Sequence, residues 1–480
     1  MIPVYRELPG DLETPVSAYY KLAKHSAYSF LLESVEGEEK VARYSFIARD
    51  PELVFTSKAH EARILRFVKG RHKPEDISFT GSPLSVVREL MKDYHAVEVK
   101  GLPRFYGGMV GYLSYDCVRF FEHLPDKTKD DLNLPDICLA LARHLVVFDH
   151  RHHTIKVVSC VHLSKMDSRG AKIKKYKAAL KIIDGLVADL QRPLKVPVPK
   201  KTTKKISVTS NCTRAQYEKM VIKAKEHIRA GDIFQIVLSQ RFKAEINVDA
   251  FEIYRSLRVL NPSPYMFYLD FGGLQLVGAS PELLVRCEGG LVETRPIAGT
   301  RPRGAGEAED QALMKSLLAD PKEKAEHIML VDLGRNDLGR VCVKGTVRLS
   351  EFMGVEKYSH VMHIVSNVQG KLRKDMDALD VLEAAFPAGT VSGAPKIRAM
   401  ELIEGLETHK RGPYAGCVGF LSFSKNLDTC ITIRTIVVHK SQAYVQAGAG
   451  IVADSDPAAE YIETMNKAKA QINAIELAHL

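Results

Sequence analysis

The sequence contains no tryptophan in 480 residues, yet it has 18 Phe and 18 Tyr, so the gap concerns the indole and not aromatic side chains in general. It has no apolar run near the roughly 20 residues that cross a bilayer, which argues against a membrane helix and a membrane partner. The N-terminus MIPVYRELPGDLETP carries Pro3, Pro9 and early acids in place of an apolar core, so no secretory signal is expected. The eight cysteines are scattered and never form C-x-x-C. That spacing excludes a zinc ribbon or a disulfide framework and points to free thiols in the cytoplasm. Neither G-x-S-x-G nor G-x-C-x-G occurs, so the chain lacks both a hydrolase elbow and a glutamine-hydrolysing one.

What is present is globular: 45% hydrophobic and 26% charged residues, enough for a large α/β body or two to three domains. The net charge of +10 is local. Residues 171–205 hold eleven Lys and Arg against Asp184 and Asp189, and the rest of the chain is nearly neutral. A nucleic-acid reader spreads basic residues over a groove-facing element, whereas here they sit on a helix end and the segment after it, so no nucleic-acid partner is expected. That segment, 191–212, is basic and Pro-containing and reads as a linker between an N-terminal region, 1–190, and a longer region, 213–475.

Periodicity predicts strand, turn and strand over 145–163, with His150, His152 and His153 on a solvated tip. Helices are predicted after the Thr213 cap and over 249–260, 307–319, 321–331, 396–406 and 456–475. Strands are predicted at 234–246, 265–270, 274–278, 283–287, 415–424, 429–438 and 443–447. Short turns between strands favour antiparallel sheets with helices packed outside.

Two acidic pairs stand out. Glu323 and Glu326 lie three residues apart near one helix start, and Glu460 and Glu463 repeat the spacing on another, with Lys467 one turn beyond. Like charges stacked on a helix face repel unless they are solvated or bound to a cation. If the two helices face each other, the four carboxylates make an oxygen-only site suited to Mg²⁺; otherwise they are two ordinary acidic faces. Three glycine-rich stretches, around Gly299–Thr300, Gly389–Lys396 and Gly448–Gly450, fit neither a Walker loop nor a dinucleotide fingerprint, but they expose backbone N–H groups usable by a carboxylate. Arg434, inside the apolar ITIRTIVV, is either a carboxylate-binding guanidinium or a structural ion pair.

The motifs LLES (31–34), NPSPYMFYL (261–269), GASPELLVR (278–286), ETRPIAGTRPRG (293–304), AEHIMLVDLGRNDLGR (325–340), VMHIVSNVQG (361–370), FPAGTVSGAPKIRAMELI (386–403) and AGAGIVADSDPAAEYIET (447–464) occur in order. Together they resemble the chorismate-utilising enzymes, and within them the large subunits of anthranilate synthases. The resemblance spans about residue 5 to 475. It implies an α+β fold, with two packed antiparallel β-sheets flanked by helices and an active site between them in the C-terminal half. It implies an Mg²⁺-dependent lyase of tryptophan biosynthesis that makes anthranilate and pyruvate from chorismate and ammonia. A separate glutamine amidotransferase subunit would supply the ammonia, in a heterotetramer.

Matched by position, the resemblance puts Glu326 and Glu463 on Mg²⁺ and Glu323 and Glu460 on its waters. Arg434 and Tyr414 would bind the enolpyruvyl carboxylate of chorismate. Gly299, Thr300 and Thr390 would line the pocket, and Lys467 with the backbone of Gly448, Ala449 and Gly450 would sit beside the ring carboxylate. Glu282 would be the general acid at the C4 hydroxyl, a task that needs a carboxyl pKa raised by burial. His363 would act in the loss of pyruvate. Gln235 stands where isochorismate and salicylate synthases carry a lysine that activates water, which favours ammonia as nucleophile. Ala298 leaves the aminodeoxychorismate synthases as the alternative branch. Glu33, Ser34, Pro264, Tyr265 and Met266 match a feedback site for L-tryptophan, and a chain without Trp is one that a tryptophan-starved cell can still translate.

Overall fold

The computed structural model describes residues 1–34, 43–68, 71–196, 206–358 and 361–479. The central part of the basic linker, 197–205, lies outside the described residues.

Two antiparallel sheets of twelve strands each pack face to face, with helices on their outer sides, as expected. Alternation along each strand decides which side chain enters which core. In strand Tyr265–Phe271, Phe267, Leu269 and Phe271 point between the sheets, where they meet Phe55, Tyr112 and Leu141 of the facing sheet. Met266 and Tyr268 point outward, under the helices Pro15–Leu22, Ala250–Leu260 and Pro457–Ala478. Each such aromatic or aliphatic side chain, fully buried, contributes about 1.5–3 kcal/mol.

Both sheets draw on chain from either side of the linker. In the first sheet, strand Tyr28–Glu33 pairs with Tyr265–Phe271, Glu33 lying opposite Met266. In the second, Gly108–Leu113 pairs with Cys417–Ser422. The linker therefore separates two stretches of chain that share both sheets.

The apolar run 429–438, predicted as one strand, is two. Leu427–Ile431 belongs to the second sheet and Thr435–His439 to the first, and the chain changes sheets at Thr432–Arg434, where Arg434 has φ +53°. A second crossing runs beside it. Strand Leu274–Ser280 lies in the first sheet, Leu283–Glu288 in the second, and Pro281 and Glu282 make the step. The crossings are tied together: Ile431 N donates to Glu282 O (3.0 Å), Ala279 N to Arg434 O (3.1 Å) and Ser280 Oγ to Ile431 O (2.7 Å).

Candidate active site

The paired crossings hold Glu282 and Arg434 at the junction of the two sheets. Glu282 is 9% exposed. Burial pushes its carboxyl up to about 7, against a lowering hydrogen bond from Thr390 and the charge of Lys467. Thr390 Oγ1 donates to Glu282 Oε1 over 3.0 Å from a short helical turn, Gly389–Val391. Both residues line a small cavity of about 40 Å³, shared with Arg295, Leu333 and Asp337. A buried carboxyl poised near neutrality suits a proton donor.

Arg434 is half-buried, desolvation lowers its pKa, and Tyr414 and Glu463 oppose that lowering. Among the contacts described for it, its Nη1 donates to the backbone carbonyl of Lys467. The rest of its donor fork stands ready for a carboxylate. Tyr414 is nearby and buried, its hydroxyl pushed up to about 12, so it remains a donor at all working pH values. A Cβ on Gly448 would lie 2.8 Å from the Tyr414 hydroxyl, and one on Gly450 would lie 2.7 Å from Gln235 Nε2. Glycine at these positions of strand Gln442–Ile451 is what lets both side chains approach the backbone. Lys467 Nζ closes this side by donating to Gly448 O (3.1 Å).

Across the site, His363 on strand Val361–Lys371 has Nδ1 3.0 Å from Gly299 O and 3.0 Å from Thr300 Oγ1. A carbonyl can only accept, so Nδ1 carries the proton and Nε2 keeps its lone pair. Burial lowers the pKa of this imidazole, which favours the neutral ring.

The acidic pairs lie on helices Pro321–Gly339 and Pro457–Ala478, each begun by an aspartate cap and a proline. Their charged faces interact: Glu326 feels Lys467 of the second helix and Glu460 feels Lys322 of the first. Among the described residues, however, no group of three or more His, Cys, Asp or Glu side chains is close enough to hold a metal ion. The chain's own cations account for part of this spread, since Arg301 Nη1 holds Glu323 Oε1 at 2.9 Å and Lys467 Nζ holds Glu463 Oε1 at 2.6 Å. The donors left over fit a hard cation. Glu460 Oε2 and Gln235 Oε1 are buried without a hydrogen-bond partner. Burial and like charge raise the Glu326 and Glu460 carboxyls, a cost that an Mg²⁺ ion with oxygen ligands would relieve.

The five residues matched to a feedback site divide between the two faces of one sheet. Glu33 is buried and accepts from the Tyr254 hydroxyl and from Arg258 Nε (3.1 Å) on the helix side, where Met266 also points. Tyr265 faces inward, donating to Asp428 Oδ1 (3.2 Å) and accepting from Arg286 Nη2 (3.1 Å). Pro264 is buried beside it, and Ser34 Oγ is buried without a partner. Tyr265 pairs with Ser280, two residues before Glu282, so the two sites share adjacent strands.

His327, which follows Glu326, is not among the predicted site residues. It is fully buried and sits 2.6 Å from Ser366 Oγ on the strand of His363. Its only signal is a polar residue on the buried face of a helix. A far larger open cleft, about 1020 Å³, is lined by Lys24, Arg63, Asp249 and Lys440 and contains none of the predicted site residues.

Residues 28–473 match the family model for the chorismate binding enzyme. The chain is 49% identical to anthranilate synthase component 1 of Acetivibrio thermocellus over 99% of its own length and 95% of that protein. It is 48% identical to the component 1 of Aquifex aeolicus over 100% and 95%. Its structure is similar to anthranilate synthase component I from Streptococcus pneumoniae, with a TM-score of 0.78, 38% identity and coverage of 97% and 99%. The menaquinone-specific isochorismate synthase of Escherichia coli shares the fold, with a TM-score of 0.71 at 19% identity, 98% of this chain and 94% of that one being covered.

Proposed function

The chain belongs to the chorismate-binding enzyme family, and from that premise we propose that it is the large subunit of an anthranilate synthase, a lyase that turns chorismate and ammonia into anthranilate, pyruvate and water. The observation that carries this reading is the pairing of full-length similarity to component 1 proteins with a buried Glu282, its carboxyl pushed up to about 7, at the junction that also holds Arg434.

Arg434 and Tyr414 bind the enolpyruvyl carboxylate of chorismate, one by charge and both by hydrogen bonds. Lys467 and the Gly448–Gly450 backbone flank the ring carboxylate. Glu326, Glu463, Glu323 and Glu460 would hold Mg²⁺, which when bound supplies positive charge to that carboxylate. Ammonia forms a bond to C2, the ring double bonds shift, and the C4 hydroxyl leaves as water with the proton of Glu282. Thr390 orients that carboxyl. Gln235, an amide, cannot take a proton from water, which suits ammonia as the nucleophile. In the second step His363, neutral with a free Nε2, takes the C2 proton, the C–O bond to the enolpyruvyl group breaks and pyruvate departs as the ring becomes aromatic.

The component 1 name of the relatives fits a partner subunit, which we assign as the glutamine amidotransferase, because this chain has no nucleophile elbow of its own. L-Tryptophan is assigned to Glu33, Ser34, Pro264, Tyr265 and Met266 as a feedback inhibitor. The test is to incubate the purified chain with chorismate, Mg²⁺ and an ammonium salt at mildly alkaline pH and follow anthranilate fluorescence. We expect anthranilate with ammonium and none with glutamine alone. A product that becomes 4-aminobenzoate only after a lyase is added would refute the assignment.

A further inference from the structure

Arg411 is 3% exposed and touches none of the groups assigned to chorismate except the ring of Tyr414. Each of its three guanidinium nitrogens donates a hydrogen bond. Nε donates to Glu407 Oε2 (2.9 Å), Nη2 to Glu407 Oε1 (2.7 Å), Nη1 to Val391 O (2.7 Å) and Nη2 again to Val237 O (2.7 Å). It lies 4.7 Å from the ring centre of Tyr115 and 5.7 Å from that of Tyr414. Glu407 Oε1 also accepts from Ser239 N (2.8 Å) and Ser239 Oγ (2.9 Å), so the pair is anchored in strand Gln235–Glu245.

A buried ion pair is weak grounds for stability, since well-packed apolar side chains of similar volume often do as well. The two carbonyls this pair reaches are more informative. Val391 follows Thr390, the residue that bonds Glu282. Val237 stands opposite Gly450 in the sheet, two residues after Gln235. We propose that Arg411 is a positioning residue, one planar fork that sets the Thr390 turn, the Gln235 strand with its Gly448–Gly450 neighbour, and the Tyr414 ring relative to one another. The proposal rests on chorismate amination as the reaction. A lysine keeps the charge and the bond to Glu407, but its compact ammonium cannot span both carboxylate oxygens and two carbonyls on separate segments.

The experiment compares wild type with Arg411→Lys, Thr390→Val and the double variant. Two readouts are used: kcat against pH, and the ionisation midpoint of Glu282 from infrared difference spectra against Glu282→Gln. The charged or titratable groups around Glu282 are Lys467, Arg295 and Asp337, and none is altered. In Arg411→Lys, kcat falls about tenfold, the scale of one misplaced hydrogen bond. Losing the Thr390 donor raises the Glu282 midpoint, so the alkaline limb of kcat moves to higher pH. The shifts of Arg411→Lys and Thr390→Val do not add, because both remove the same bond. An unchanged midpoint, or shifts that add, overturns the proposal.

If Arg411→Lys does not fold, Arg411→Met combined with Glu407→Gln removes both charges and keeps the volume. That variant is expected to hold its Tm and still show the loss of kcat and the raised midpoint; wild-type values for both would overturn the proposal. If wild type forms no anthranilate while the midpoint still moves, the reaction is misassigned and the positioning role stands.

Discussion

Glu282 stores free energy, and replacing it by glutamine releases that energy at a cost in activity. The folded protein holds this carboxyl at about 7 against an ordinary 4.5, because burial penalises the charged form. Between these values the unfolded chain has lost the proton and the native chain has kept it, so native stability falls as pH rises through the window. The full difference is about 3 kcal/mol, reached above pH 7 and absent below about pH 4.5. Glutamine has nearly the same shape, can still accept from Thr390 and never ionises. Glu282→Gln therefore abolishes anthranilate formation and raises stability by about 3 kcal/mol at pH 8, with little change at pH 4.5. Urea unfolding of both proteins at the two pH values, without Mg²⁺ or chorismate, measures this directly. A difference that is the same at both pH values, or larger in acid, would show that Glu282 is not held protonated by its surroundings.

The remaining predictions concern the groups around it. Thr390→Val removes a donor to the carboxylate, so the alkaline limb of kcat moves upward, and kcat falls about tenfold through lost orientation. Glu460→Gln removes one like charge and a charged ligand, so calorimetry shows weaker Mg²⁺ binding while Tm in chelator rises; unchanged Mg²⁺ affinity would take Glu460 out of the cation site. Ser34→Arg puts a long cation where a buried hydroxyl stands unpaired and abolishes tryptophan binding. With no tryptophan in the chain, the fluorescence of the added amino acid reports that binding without indole emission from the protein.

The fold was readable in the sequence where structure is local. Helices Glu307–Ala319 and Lys396–Leu406 match their predicted bounds because their starts are marked by neighbouring residues, Gly306 and a first turn of acids in one and Pro395 in the other. The acidic helix runs to Gly339, past the predicted 331, because Gly334 and Leu338 continue its buried face. Pattern fails at Arg434. An apolar run shows that a segment is buried but not which sheet it pairs with, and there the partner changes in mid-run. The site divides in the same way. Spacing alone marks the four glutamates as candidates, and an isolated charge marks Arg434. Glu282, Thr390 and His363 have no local signature and were found only through resemblance. Arg411 was invisible, since its partners Val391 and Val237 are backbone carbonyls far away in the chain.

The sharing of both sheets across the linker bears on how the protein is born. A ribosome that has completed only the first 190 residues has released two half-sheets, each with a raw edge. The edge of Tyr28–Glu33 waits for Tyr265–Phe271, and that of Gly108–Leu113 waits for Cys417–Ser422. Both waiting strands are rich in apolar side chains, and unpaired apolar edges recruit other chains. Slow elongation or truncation before residue 422 therefore yields aggregates, and the nascent N-terminal region is a natural client for a holding chaperone until the last strands emerge.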